Sequence, residues 1–253
     1  MATVFITGSA DGLGKNAARA LLDEGHRVVL HARNAERAKA ISDLAPRALG
    51  VVLGDLSSAD ETRAIADQVN ALGRMDAVIH NAGVYSEKSR GETPEGHARL
   101  VAINTLAPYL LTAWLQRPER LVFLSSGLHR GGGSALDDLD WKKRRWDTGA
   151  AYAESKLHVT ALSFALARRW PEVKSYAVNP GWVPTKMGGA GAPDDLEQGH
   201  LTQTWLATSA VPAREGYWFH RERQEPAPEA KDVRFQDALL ARLTELTGVR
   251  LLG

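Results

Sequence analysis

The stretch "VFITGSADGLGKNAARALL" (Val4–Leu22) reads as a short strand, a glycine-rich turn and a helix. Its first residues are β-branched or aromatic, as a buried strand requires. Gly8, Gly12 and Gly14 allow the backbone to turn sharply and to approach a ligand closely. The helix that follows offers free N–H groups and the positive end of its dipole, which suit a pyrophosphate. Glycines alone would also fit a purely structural turn. The strand before them and the helix after them are what the phosphate-binding reading needs. Thr7, Gly8, Ser9, Asp11, Gly12, Leu13 and Gly14 are therefore the first candidates for cofactor contact.

Outward from this turn, short apolar runs alternate with helical patterns. Strands are predicted at Thr3–Ile6, Arg27–His31, Ala48–Leu53, Ala77–His80, Leu121–Leu124 and Ser175–Val178. Helices are predicted near Gly14–Glu24, Ala35–Leu44, Ala59–Leu72, Pro94–Leu115, Tyr152–Trp170 and Phe235–Leu246. This rhythm implies an α/β fold, a Rossmann-type doubly wound parallel sheet in a three-layer α/β/α sandwich. Ligands of such sheets bind beyond the carboxyl ends of the strands. One catalytic domain is expected over residues 1–253, with a substrate loop at about 186–200 and a C-terminal extension at about 217–253. Gly131–Gly149 reads as a polar insertion. "RERQEPAPEAKD" (Arg221–Asp232) reads as an exposed connection to the last helix.

The bulk composition narrows the function. A net charge of +1 gives no field to steer the chain to nucleic acid or to an anionic membrane. The absence of cysteine excludes thiol nucleophiles and Cys-ligated metals, and it suits a reducing cytoplasm. No apolar run is long enough for a membrane span. No basic leader precedes the first strand. The histidines show no ligand spacing, so no metal is expected. "KKRR" (Lys142–Arg145) and the nearby Asp137, Asp138 and Asp140 read as a solvated loop. His129 is either a pocket residue or a surface histidine. Trp146, Trp182 and Met187 are either pocket wall or ordinary packing.

The end of the second strand should face the adenine ribose. An acid there would accept from a free 2′-hydroxyl. The sequence "VVLHARNAER" has none before Glu36, and Arg33 stands where a guanidinium could hold a 2′-phosphate. NADP(H) is therefore the preferred cofactor, with NAD(H) possible. Asp55 and Leu56, after the third strand, are candidates for the adenine contact, although Asp55 could equally cap the next helix.

Five further motifs join "TGSADGLG", and together they resemble the classical short-chain dehydrogenase/reductases (SDRs). They are "NAG" (Asn81, Ala82, Gly83), "VAINTLAPYLLT" with Asn104, "LVFLSSGLH" with Ser126, "YAESK" with Tyr152 and Lys156, and "NPGWVPTKM" with Pro180, Gly181, Val183 and Thr185. The polar segment before Tyr152 is similar to that of the retinol-dehydrogenase-like branch. The resemblance implies a catalytic set of Asn104, Ser126, Tyr152 and Lys156 acting on a small carbonyl or alcohol substrate. Tyr152 and Lys156 lie within about 40° of each other on a helix. A nearby ammonium should lower the tyrosine pKa from about 10, and a drop of ~3 units corresponds to about 4 kcal/mol. Lys156 would also bind the nicotinamide ribose hydroxyls, and Ser126 would donate to the substrate oxygen. Asn104 would hold a water, as the resemblance implies. Thr185 would bond the carboxamide or simply stabilise its turn. Leu157, Ala161, Phe164 and Ala165 define a separate face of the helix that can pack as core. The charged run "GYWFHRERQEPAPE" departs from the family's usual ending and favours a monomer or homodimer over a tetramer. The alternative function is a non-catalytic NADP(H) sensor.

Overall fold

In the computed structural model, which describes residues 1–85, 88–210 and 213–252, the opening stretch forms strand β1 (Thr3–Ile6) and helix α1 (Gly12–Asp23). Strand β2 (Arg27–Ala32), helix α2 (Ala35–Ala38), strand β3 (Gly50–Leu53), helix α3 (Ala59–Ala71) and strand β4 (Ala77–His80) follow. Next come helix α4 (Arg99–Val101), a π-helical segment (Ala102–Leu106), helix α5 (Ala107–Trp114) and strand β5 (Arg120–Leu124). Helix α6 (Thr148–Arg169), strand β6 (Lys174–Asn179), helix α7 (Gln198–Thr208) and strands β7 (Glu215–Phe219) and β8 (Glu222–Gln224) lead to helices α8 (Pro228–Lys231) and α9 (Val233–Thr247).

The eight strands among the described residues form one sheet in the order β3-β2-β1-β4-β5-β6-β7-β8. Every pairing is parallel except that of β7 with β8. The order reverses between β1 and β4, which are paired with Val4 opposite Ala77. The crevice of a doubly wound sheet opens at this reversal. Alternate residues of β1 serve opposite faces. Phe5 packs with α3, α5 and α6, whereas Val4 and Ile6 pack with α1 and α7. Both faces are covered, so the strands read as continuous apolar runs.

Several expectations change. The second helix is only Ala35–Ala38 before a 3₁₀ turn at Lys39–Ile41. The expected substrate loop ends in helix, because α7 begins at Gln198. The expected C-terminal extension opens inside the sheet, since Tyr217, Trp218 and Phe219 belong to β7 and pair with β6. Residue 253 of that extension, and Ser86 and Glu87 beyond Gly83, lie outside the described residues. Helix α6 has no outer face of its own from Ala151 to Ala167, where every residue is buried. Helices α8 and α9 pack over it, with Ala227, Ala230, Phe235 and Leu239 joining its core.

The polar insertion is also not a solvated loop. Asp137 is exposed, but Asp138 and Asp140 are buried. Asp138 accepts from the N–H groups of Lys142, Lys143 and Arg144 at 2.7–3.2 Å. Asp140 accepts from Ala98 N–H at 2.7 Å and faces His97 Nδ1 at 3.1 Å. Arg144 binds both oxygens of the buried Glu154 on α6, at 2.7 and 2.9 Å, and stacks on Trp141. The charges that suggested solvation instead fasten the insertion to α6. Lys142, Lys143 and Arg145 are exposed, as the loop reading expected.

Candidate active site

The turn after β1 and the turn after β4 meet at the sheet reversal. Gly8 has φ +64°, and a Cβ there would lie 3.0 Å from Ala82 Cα. A Cβ on Gly14 would lie 2.4 Å from Asn81 Nδ2 and 2.5 Å from Gly8 O, closer than atoms can approach. The two turns therefore touch only because these positions are glycine. Side chains then fix the contact. Asn81 Nδ2 donates to Thr7 O at 2.9 Å, and Thr7 Oγ1 accepts from Ala82 N–H at 3.0 Å.

Beneath the turn sits His31, which the sequence reading passed over. Gly8 N–H donates to His31 Nδ1 at 2.9 Å, and His31 Nε2 lies 2.9 Å from Gly54 O. The accepting Nδ1 places the proton on Nε2, which donates to Gly54. Burial pushes the His31 pKa down despite that carbonyl and Asp55, which keeps the ring neutral. Ser9 Oγ accepts from His31 N–H at 2.7 Å. Thr7 and Ser9 are thus turned into the sheet.

A cavity of about 410 Å³ opens over these turns. Of the sequence candidates, Gly8, Asp11, Gly12, Leu13, Gly14, Arg33, Asp55, Leu56, Asn81, Ala82, Gly83, Tyr152, Lys156, Pro180 and Thr185 line it. Thr7, Ser9, Gly181 and Val183 stand behind the lining. Gly181 N–H donates to Asn179 Oδ1 at 3.1 Å, and Val183 is buried. Thr185 Oγ1 accepts from Gly188 N–H at 3.2 Å. Asp55 accepts from Ser57 N–H at 2.9 Å, and its Oδ2 lies 3.9 Å from Arg33 Nε.

Two cations missed by sequence reading stand at the cavity. Arg37 and Lys186 donate to the same oxygen of Asp11, at 2.9 and 2.7 Å. Asp11 also caps α1 through Gly12 N–H. Burial would raise the Asp11 pKa, but Lys186, Arg37 and the Gly12 N–H outweigh it and hold the carboxyl below its ordinary value. These three segments are distant in sequence, so spacing gave no sign of their meeting.

Of the four residues proposed as catalytic, Tyr152 and Lys156 line the cavity, and Ser126 and Asn104 stand behind its lining. Asp147 caps α6 by accepting from Ala150 N–H at 2.8 Å. One turn on, the Ser126 side chain stands close enough to the Tyr152 hydroxyl to lower its pKa. Ser126 also caps the 3₁₀ turn Gly127–Gly131 by accepting from Leu128 N–H. Lys156 Nζ donates to Leu124 O at 2.7 Å and lies 5.4 Å from the centre of the Tyr152 ring. Asn104 lies in the π-helical segment. Its Oδ1 accepts from Val84 N–H at 2.8 Å, and its Nδ2 donates to Val84 O at 2.9 Å and Ser155 Oγ at 3.1 Å. A Cβ on Gly83 would lie 3.4 Å from Asn104 Oδ1 and 3.5 Å from Lys156 Nζ, so Gly83 marks the point where the strands and helices close in.

The electrostatics differ from the sequence expectation. Burial pushes the Tyr152 phenol up to about 12, and the nearby Ser126 side chain offsets this only in part. The edge-on ring of Tyr85, 4.8 Å away, adds to the rise. Burial also pushes Lys156 down to about 8. The ammonium is bound to a carbonyl rather than directed at the phenol, so desolvation wins over charge attraction. His129 is neither pocket wall nor surface residue. It is fully buried, and its Nε2 accepts from Ala227 N–H at 2.9 Å. Trp146 packs on Trp141 and donates to Thr148 Oγ1, whereas Met187 lines the cavity. Among the described residues, no His, Asp or Glu cluster is placed to hold a metal, and no helix is long and apolar enough to cross a membrane.

A family model described as enoyl-(acyl carrier protein) reductase matches residues 8–214. The short-chain dehydrogenase chry4 of Gibberella zeae is 40% identical, with 99% of this chain and 99% of that protein covered. Human retinol dehydrogenase 13 is 29% identical, over 98% of this chain and 85% of that protein. Among solved structures, an uncharacterised protein from Mycobacterium paratuberculosis matches with a TM-score of 0.88 and 26% identity, covering 100% of this chain and 96% of that one.

Proposed function

The chain belongs to the short-chain dehydrogenase/reductase family, on the side of its retinol-dehydrogenase-like members, and is an NAD(P)-dependent oxidoreductase of CH–OH or C=O groups; within that activity we propose a preference for NADP(H) and a proton transfer through Tyr152. The observation that carries the proposal is the placement of Tyr152 and Lys156 on the wall of a glycine-edged cavity, with Ser126 beside Tyr152 and with Asn104 and Lys156 both beside Gly83. The cavity suits a dinucleotide. Its two turns meet because Gly8 and Gly14 carry no Cβ, and it lies against the first turn of α1. Arg33 and Arg37 stand together at the cavity and can reach a 2′-phosphate.

When bound, the nicotinamide supplies or receives the hydride. The remaining tasks fall to the chain. Tyr152, kept protonated by burial, gives its proton from Oη to the substrate oxygen during reduction. Ser126 donates a second hydrogen bond to that oxygen. Lys156, anchored on Leu124 O, keeps two further N–H groups for the ribose hydroxyls. Asn104 holds the Val84 backbone and so fixes the floor of the site.

The test measures nucleotide binding and carbonyl-dependent oxidation together. NADPH should bind more tightly than NADH by about 10-fold or more, and Arg33→Ala should reduce that margin, since a charge-assisted bond contributes about 1.5–3 kcal/mol. Tyr152→Phe should lower turnover by about 100-fold or more while NADPH affinity stays within a few-fold. Equal affinity for the two nucleotides refutes the cofactor preference. Retained turnover in Tyr152→Phe refutes the proton donor.

A further inference from the structure

Apolar side chains left in solvent are usually scattered singly over a protein surface. Here nine large ones are exposed among the described residues, and four of them come from three loops. Tyr85 follows β4, Leu128 follows β5, and Trp182 and Met187 follow β6. These strands are parallel neighbours, so the loops leave the same edge of the sheet side by side, about 5 Å apart at their origins. The site lies at that edge. Tyr85 stands edge-on to Tyr152, and Met187 lines the cavity. Of the other five, Leu53 ends β3 at the same edge but three strands away from β4, and Met1, Leu72, Val233 and Leu252 lie outside the loops after β4, β5 and β6.

Four charged groups of the same loops are held by other groups of the protein. Arg90 donates to Gly96 O and to Asp140. Arg130 donates to Glu225 O and lies over the Tyr217 ring. Lys186 is bound to Asp11, and Asp194 accepts from Trp182 N–H. Lys88 on the β4 loop and Lys142, Lys143 and Arg145 on the β5 loop stand exposed, so an anionic substrate is the alternative that an experiment must separate.

We propose that the substrate is a neutral, bulky aromatic or polycyclic ketone, or the matching alcohol. Its apolar body would rest on Tyr85, Leu128, Trp182 and Met187, with the carbonyl oxygen at Tyr152. The inference builds on the proposed role of Tyr152 and excludes acyl groups on phosphate-bearing carriers as the preferred substrate. During reduction, hydride adds to the carbonyl carbon and the Tyr152 proton to the oxygen, giving a neutral alcohol and NADP⁺.

Calorimetric titration, with and without NADP⁺, reads binding independently of turnover. The probes are 2-acetylnaphthalene, its 6-carboxylate analogue and butanone. The neutral naphthyl ketone should bind about 10-fold more tightly than the carboxylate and about 100-fold more tightly than butanone, as burial of aromatic area predicts. Trp182→Ser and Leu128→Ser should each weaken the naphthyl ketone roughly 5- to 30-fold, leaving butanone and NADP⁺ within about 2-fold. Equal or tighter binding of the carboxylate overturns the proposal. So does absent binding, or variants that leave the naphthyl ketone unaffected or weaken all ligands alike. Sedimentation must show that the patch is not the seam of a dimer abolished by Trp182→Ser, which would also overturn it. Naphthyl ketone binding without turnover would refute the Tyr152 reading and keep the substrate class.

Discussion

Two buried histidines beside the site should make the protein sensitive to mild acid. His80 ends β4 one residue before Asn81, and His158 follows Lys156 by two residues. His80 stacks on Phe123, and its Nδ1 has no hydrogen-bond partner. Neither ring nitrogen of His158 has one. Burial lowers both pKa values from 6.5 to about 3, and the nearby Arg144 adds to the effect on His158. The unfolded chain binds protons that the native state refuses. The stabilisation is therefore complete above about pH 6.5 and is lost progressively as pH falls towards 3. At pH 5 the difference is about 1.4 kcal/mol per unit over about 1.5 units, or roughly 2 kcal/mol per ring and about 4 for both. That is a large part of a typical total of about 5–15 kcal/mol. The downward shifts of His31, His129 and His200 act with the same sign. Carboxylates held low, such as Asp11 and Asp138, lose their contribution only at lower pH. Urea unfolding at pH 7.5, 6 and 5 should show this loss, and His158→Leu should reduce the slope by about 1.4 kcal/mol per pH unit. Stability that stays level between pH 7.5 and 5 would refute the reasoning.

Two other perturbations probe the scaffold. Arg144→Met leaves the buried carboxylates of Glu154 and Asp138 without their shared cation. It should cost about 3 kcal/mol, the lower end for a broken buried pair, because Arg144 is itself a third exposed. Thermal melting should show the loss and its partial recovery in Arg144→Met/Glu154→Gln; an unchanged Tm would show that the insertion is not fastened in this way. Gly14→Ala forces a methyl onto Gly8 O and Asn81, and should cost about 1–3 kcal/mol and weaken nucleotide binding. Gly131→Ala, with nothing within 4 Å, serves as the control and should change neither. Equal behaviour of the two glycine variants would contradict the contact between the turns.

The sheet was legible wherever strands carried unbroken apolar runs between turns, which is why β1 and β4 match their expected limits. Strand β7 was missed because Glu215 and Gly216 open it and a charged hairpin follows; Tyr217, Trp218 and Phe219 were the usable signal. Helix α7 hides Thr202, Gln203 and Thr204 in its buried face, so no apolar stripe announces it. The same obstacle misled the reading of α6, which buries Glu154, Ser155, Lys156 and His158. Motif residues of the site were legible because their chemistry requires particular types at particular places. The supports were not. His31 is one histidine in a strand, and the meeting of Asp11, Arg37 and Lys186 depends on the tertiary fold.

The π-helical segment that holds Asn104 has a further consequence. A π turn contains one more residue than an α turn, so the chain here is one residue longer than a straight helix requires. Removing Thr105, whose buried hydroxyl has no partner, would let the segment close into regular α-helix. The two flanks would keep their orientation, because a π turn sweeps with five residues nearly the rotation that an α turn sweeps with four; the change would fall on the segment itself and draw Asn104 off the Val84 backbone. Most deletions damage the element they fall in. This one would make the helix more regular and the site less complete, so local regularity and the site's geometry demand different chain lengths here.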